Sequence, residues 1–381
     1  MDFTFTDEQA MLRESVARYL QRHYTFAERQ ALLASGRPYS AAVWQHFAEL
    51  GLLALPFPAK CGGGGGSVVD LVAVGEPFGE HLLVEPYVSS VLLAGGILAC
   101  ATDHPAARRW LTKIMAGEAL GALAHEEGTG TPDPSMVALR AKASAQSYQL
   151  DGEKRLVLGA PEADILVVTA RVGSDPGSRG GLAVLLVAPD APGVHLTPFR
   201  TIDGRSAGHI VFDSVEVAAD ACVSTEAYAA LTGALRDAVV ALAAEAVGAM
   251  GALLRQTSDY AATRHQFGVP IGSFQVVAHR LADMKIAYTK ARATLLHTAG
   301  LVEAGRATAR DIAVLKAQVG TLGRSIGEAA VQTHGGIGMT DELAVGHYLK
   351  RLIAIDAMLG DADYHYRVVG ASRPAGGGGG I

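Results

Sequence analysis

Residues 260–284 run YAATRHQFGVPIGSFQVVAHRLADM, from Tyr260 to Met284. The stretch begins as the end of a long apolar helix, breaks at Gly268-Val269-Pro270-Ile271-Gly272, and resumes as a second amphipathic helix. Pro270 has no amide hydrogen and Gly272 leaves the backbone too free, so neither suits a helix interior. The break therefore reads as a short connection between two packed helices. Arg264 falls in the last turn of the first helix and Gln275 opens the second, so a guanidinium, the ring of Phe267 and an amide converge on one corner. Two readings stand side by side. The corner is a clamp for a polyanion, because the planar Arg fork suits phosphate, or it is an αα-hairpin in which Arg264 caps carbonyls.

The 381 residues around this corner are enough for two or three domains with a sizeable core. Apolar residues make up 49% and aromatics only 6%, which favours closely packed helices over an aromatic-cored β fold. A formal net charge of -6 with no basic stripe argues against nucleic acid as a partner. Cys61, Cys100 and Cys222 show no CxxC or metal-ligand spacing, so no metal is expected and the thiols read as small hydrophobes in a reducing compartment. The opening MDFTFTDEQAMLRESV is acidic and mixed, unlike a signal or transit peptide. The longest apolar run, Val239 to Leu254, contains Glu245 and is flanked by Arg236, Asp237 and Arg255, so it reads as a buried helix and not a membrane span. The expected location is the cytoplasm, with no membrane partner.

Helical periodicity covers 7–23 (Leu12, Val16, Tyr19, Leu20) and 40–53 (Val43, Phe47, Leu50), with Thr6 before Asp7-Glu8-Gln9 as a cap. Cys61 and the five glycines after it form a sharp loop. Without a strand before it or a Lys-Ser/Thr after it, the phosphate-loop reading fails. Helices continue over 69–98 and 105–115, giving a helical domain 1–119. Short β-type runs follow in a domain 120–225: Tyr148 to Lys154 as strand, turn, strand, then Ile165–Ala170, Ala183–Val187 and Ile210–Phe212. Helices over 226–264, 274–304, 308–334 and 341–357 make an antiparallel four-helix bundle, 226–370. A flexible tail, 371–381, ends in glycines. The fold class is α+β: helical, then a β-barrel or sandwich, then helical.

The blocks RHQFGVPIGSFQ with HRLADM, and Gln332-Thr333-His334-Gly335-Gly336-Ile337-Gly338-Met339, resemble the acyl-CoA dehydrogenase family in order and spacing, over roughly residues 1–370. The resemblance implies the same three-domain order. It also implies an FAD whose pyrophosphate and adenosine portion is bound by Arg264, Phe267, Gln275, Gln332, Gly335 and Gly336, mainly for a neighbouring subunit. His334 reads as a packing and hydrogen-bonding residue. An acyl-CoA substrate and an electron-transfer flavoprotein are implied as well. The reaction needs a carboxylate at the α-carbon and a flavin lying over the Cα–Cβ bond.

That carboxylate is missing. The resemblance places it at Leu359, before Gly360-Asp361, or in some members twenty-six residues before Arg264, at Ala238. Glu245 shares a helix face with Ala238 but lies about 10 Å further along, and is expected to pair with an Arg or a neighbouring helix. Asp361 points about 200° away if helical, yet reaches inward from a loop, so it stands as the one candidate base. Asp363 and His365 lie further off. The residues expected against the flavin ring are replaced too: Asp151-Gly152-Glu153-Lys154-Arg155 leads into Leu156-Val157-Leu158, and Gly130-Thr131-Pro132-Asp133-Pro134 replaces the usual Gly-Ser-Asp loop. The final block, HGGIGMTDELAVGHYLKRLIAIDAMLGDAD, resembles base-less subunits of heterotetrameric members, such as the pimeloyl-CoA dehydrogenase small subunit and steroid side-chain dehydrogenases. The expectation is an α2β2 assembly whose other subunit carries the catalytic Glu. A homotetramer using Asp361, or a flavin-free acyl-CoA-binding scaffold, remains the alternative.

Overall fold

The computed structural model describes residues 4–128 and 132–372. Parts of the loop at 130–134 and of the tail at 371–381 lie outside the described residues. Helices α1 (Asp7–His23), α2 (Phe26–Ala34), α3 (Ala41–Glu49) and α4 (Val68–Glu80) come first. A π-helical segment (Tyr87–Gly95) follows, then α5 (Gly96–Ala99) and α6 (Pro105–Met115). Strands β1 (Gly121–Ala124), β2 (Arg140–Ala143), β3 (Ser147–Leu158), β4 (Ile165–Arg171), β5 (Leu182–Val187), β6 (Val194–Arg200), β7 (Ser206–Ala218) and β8 (Cys222–Ser224) fill the centre. The last part holds α7 (Tyr228–Thr263), β9 (His265–Gln266), β10 (Val269–Pro270), α8 (Gln275–Glu303), α9 (Ala309–His334), α10 (Ala344–Ala357) and α11 (Ala362–Ala371).

These elements form two compact units, residues 1–21, 68–82 and 239–381 in one, and 22–67 with 83–238 in the other. In the first, α7 is the central helix. Its side chains Val240, Leu242, Val247, Met250 and Leu253 are buried. Against α4 the backbones come very close: a Cβ on Gly79 would strike Glu245 O, and one on Gly248 would strike Glu76 O. Glycine is the only residue that permits that approach. The buried Glu76 carboxylate then takes Arg13 Nε at 3.1 Å and Arg292 Nε at 2.8 Å, tying α1, α4 and α8 together. Helix α7 is long and apolar enough to cross a membrane, but 89% of its most apolar window is buried, as in a core helix.

In the second unit the strands form one sheet in the order β6-β7-β3-β2-β4-β5-β8, with β1 parallel to β4. Its core is Leu150, Val157, Leu166, Val168, Leu185, Ile210, Phe212 and Val215.

Three local expectations need correction. Residues 147–158 are one strand, not strand, turn, strand, because Gly152 (φ 141°) sits at a bulge while pairing with β7 continues past it. The helix expected over 69–98 is interrupted. It stops at Glu80, Leu82 turns left-handed (φ 53°), and Pro86 has no amide to continue a ladder. Helix α2 was not anticipated, although Thr25 and Glu28 cap its start reciprocally as Thr-x-x-Glu.

Candidate functional site

Helix α7 closes with Arg264 N–H donating to Tyr260 O at 2.8 Å. The chain then forms a two-residue hairpin. β9 pairs with β10, and its tip is Phe267 (φ 53°) and Gly268 (φ 82°). Both tip residues are left-handed, as a type I′ turn requires. Ile271 N–H returns to Arg264 O at 2.8 Å, fixing the base of the hairpin. Phe267 is 94% exposed and meets Phe274 edge-on at 6.2 Å. The Arg264 side chain is exposed and takes no carbonyl or carboxylate among the described residues, so the carbonyl-capping reading does not hold. Gln275 is the first residue of α8, and Phe274 ahead of it supplies no side-chain cap. Val277 N–H and Ala278 N–H donate to Phe274 O at 3.0 Å, and the start of this 29-residue helix has no side-chain cap, a helix end that favours anions.

The second block reaches this corner through aromatic packing. Tyr260 of α7 stacks on His334 of α9, with ring centroids 4.3 Å apart and planes 24° apart. His334 Nδ1 is 2.9 Å from Ala330 O, so the buried imidazole is held from both sides, as expected for a packing residue. Gln332 is exposed, and Gly335 adopts φ 66° and ψ −143°, a region open only to glycine. A Cβ on Gly335 or Gly336 would meet nothing within 4 Å, so a flat backbone surface stands open there. Ile337 and Met339 are exposed beside it.

The positions expected to hold a base are built differently. Ala238 is fully buried. Glu245 accepts both Arg351 Nε and Nη2 at 2.7 Å, a buried bidentate pair between α7 and α10. Asp361 is exposed and accepts from Tyr364 N–H at 2.8 Å, so its carboxylate caps α11. Leu359 is half-buried and left-handed (φ 56°), with its carbonyl 3.0 Å from His365 Nε2. Lys316 and Arg351 escaped the sequence reading. The only signal for Lys316 was a charge within the buried face of Leu315, Ala317 and Val319 on α9.

In the other unit, Leu156 is left-handed (φ 50°) and 37% exposed, while Lys154 is fully buried, with Nζ 2.7 Å from Glu127 Oε1 and 3.1 Å from His125 O. Burial lowers the Lys154 pKa to about 8 against the pull of Glu127. Burial also keeps His125 neutral, at about 3. The amides of Gly63, Gly64, Gly65 and Gly66 all donate to carbonyls of residues 54–58, which leaves them no capacity for phosphate.

Family models match the chain along most of its length: "Acyl-CoA dehydrogenase, N-terminal domain" at 6–118, "middle domain" at 122–215 and "C-terminal domain" at 228–372. The chain is 30% identical to acyl-CoA dehydrogenase FadE27 of Mycobacterium tuberculosis, over 98% of this chain and all of that one. It is 28% identical to the probable acyl-CoA dehydrogenase YngJ of Bacillus subtilis, over 92% and 93% of the two chains. Among solved structures, a chain of the ChsE4-ChsE5 complex from Mycobacterium tuberculosis superposes with a TM-score of 0.87 at 28% identity, covering 98% of this chain and 100% of that one. The chain belongs to the acyl-CoA dehydrogenase family, the flavin-dependent oxidoreductases that act on CH–CH bonds.

Proposed function

We propose that this chain is the base-less subunit of a heterotetrameric, FAD-dependent acyl-CoA dehydrogenase. The observation that carries the reading is a contrast between two sets of positions. Leu359 and Ala238 occupy both positions where the family resemblance places the base, while Arg264, Phe267, Gln275 and Gln332 are exposed and the backbone at Gly335 and Gly336 stays open. The partner is a second family member that carries the catalytic Glu. The ChsE4-ChsE5 complex, to which this chain is similar, pairs two different chains and supports that arrangement.

In this reading Arg264 would hold the pyrophosphate, with help from the start of α8. Gly335 and Gly336 let the adenosine portion approach the backbone, and Phe267 covers it from the hairpin tip. When bound, the flavin accepts the hydride from the β-carbon of an acyl-CoA thioester. The domain limits at about 119 and 225, a cytoplasmic setting and reoxidation by an electron-transfer flavoprotein belong to the same proposal.

Arg264→Ala, made in this subunit and co-expressed with the Glu-bearing one, tests it. The expected outcome is an intact complex that loses most of its FAD and activity together, by tenfold or more. Full flavin content in that variant would remove Arg264 from the site.

A further inference from the structure

The turn between α10 and α11 is held largely through its backbone. Lys316 on α9 has no exposed surface, and its ammonium donates to Asp356 O at 2.8 Å and Gly360 O at 2.7 Å, one at each end of the turn. His365 donates from Nε2 to Leu359 O at 3.0 Å, between those two anchors. Asp356 Oδ1 accepts Ala362 N–H at 3.1 Å, and only the absence of a side chain at Gly320 lets that carboxylate lie so close to α9. Every one of these bonds ends on the backbone of the turn. Residue 359 meanwhile carries a left-handed φ of 56°, a conformation that strains a leucine.

A buried ammonium is costly to keep, and a strained leucine does not hold its own conformation. The strain is therefore imposed from outside. Leu156 and Leu359, two of the few non-glycine residues with positive φ, stand where the family resemblance puts a flavin-ring contact and the base. At both places a leucine is held in a left-handed backbone conformation.

We infer that Lys316 is a positioning residue which, with His365, holds residue 359 in a preformed seat that this chain fills with leucine. The inference rests on the proposed reading of position 359 as the vacated base position. Because the clamps grip carbonyls, they are indifferent to the side chain at 359. One substitution could thus remove a base without collapsing the turn around it.

The test reads the backbone of the full chain, so it can fail while flavin loading in the complex succeeds, and the reverse. Lys316→Met should speed amide exchange at Gly360–Ala362 at least tenfold and leave residues 265–272 unchanged. Lys316→Gln, which keeps two donors, should recover part of the protection. Leu359→Gly should raise Tm by about 2 °C in the native background, through relief of strain, and give no such gain beside Lys316→Met. Equal effects of Leu359→Gly in both backgrounds, or unchanged exchange at 360–362 in both Lys316 variants, would overturn the inference.

Discussion

The corner at Arg264 and the turn at Leu359 lie in the same unit and share a backbone device, a non-glycine residue held at positive φ between two helices. Their surroundings are opposite. Phe267 is almost wholly exposed, the exposed Arg264 side chain has no hydrogen-bond or ion-pair partner among the described residues, and Gly335 and Gly336 face open space. At the turn, the carbonyls of Asp356, Leu359 and Gly360 are all taken, and Asp361 is occupied as a cap. One place is closed by its own partners and the other is open to solvent. Loss at the first should therefore register as stability, and loss at the second as binding.

The largest effect is expected from the ion pair beneath the turn. Glu245→Ala leaves the buried Arg351 charge without its carboxylate and should cost about 3–5 kcal/mol in chemical unfolding. The paired change Glu245→Met with Arg351→Leu should recover most of that loss. A small effect of Glu245→Ala would mean that the closed place is not closed.

A second closed place, at Lys154, is read through pH. Its pKa of about 8 lies below the ordinary lysine value of 10.5, so between those pH values the unfolded chain binds more protons than the folded one. Stability contributed by this group therefore rises with pH across that window, by on the order of 3 kcal/mol in full. Lys154→Met should lack the rise when unfolding is followed from pH 7.5 to 10.5. An identical slope in both proteins would show that the ammonium is not desolvated.

The smallest effects sharpen the contrast at Asp361. Asp361→Ala should cost about 1 kcal/mol through loss of the helix cap, while Asp361→Asn, which can still cap, should cost a few tenths. Neither should change the activity of the assembled complex. Activity lost with Asp361→Asn would instead make this carboxylate a base and restore the homotetramer reading.

Much of this was legible in the residues because local physics decided it. The end of α7 and the start of α8 follow from Pro270 and Gly272, a local signal. Leu359 and Ala238 could be read as the positions the family resemblance assigns to a base, by counting from Gln332 and Arg264. β3 was misread because Asp151-Gly152 looks like a turn in isolation, and only pairing on both sides turns it into a bulge. The partner of Glu245 lies 106 residues away and the carbonyls held by Lys316 lie 40 and 44 away, so no local pattern could assign them. The open corner was legible as residues but not as an absence of partners, which only the folded arrangement displays.

The most direct test of the central claim is the flavin content and visible spectrum of this protein, purified alone and then co-expressed with a Glu-bearing family member. The account predicts a colourless protein alone and about one FAD per pair of different subunits together. One FAD per chain in the protein purified alone would contradict it.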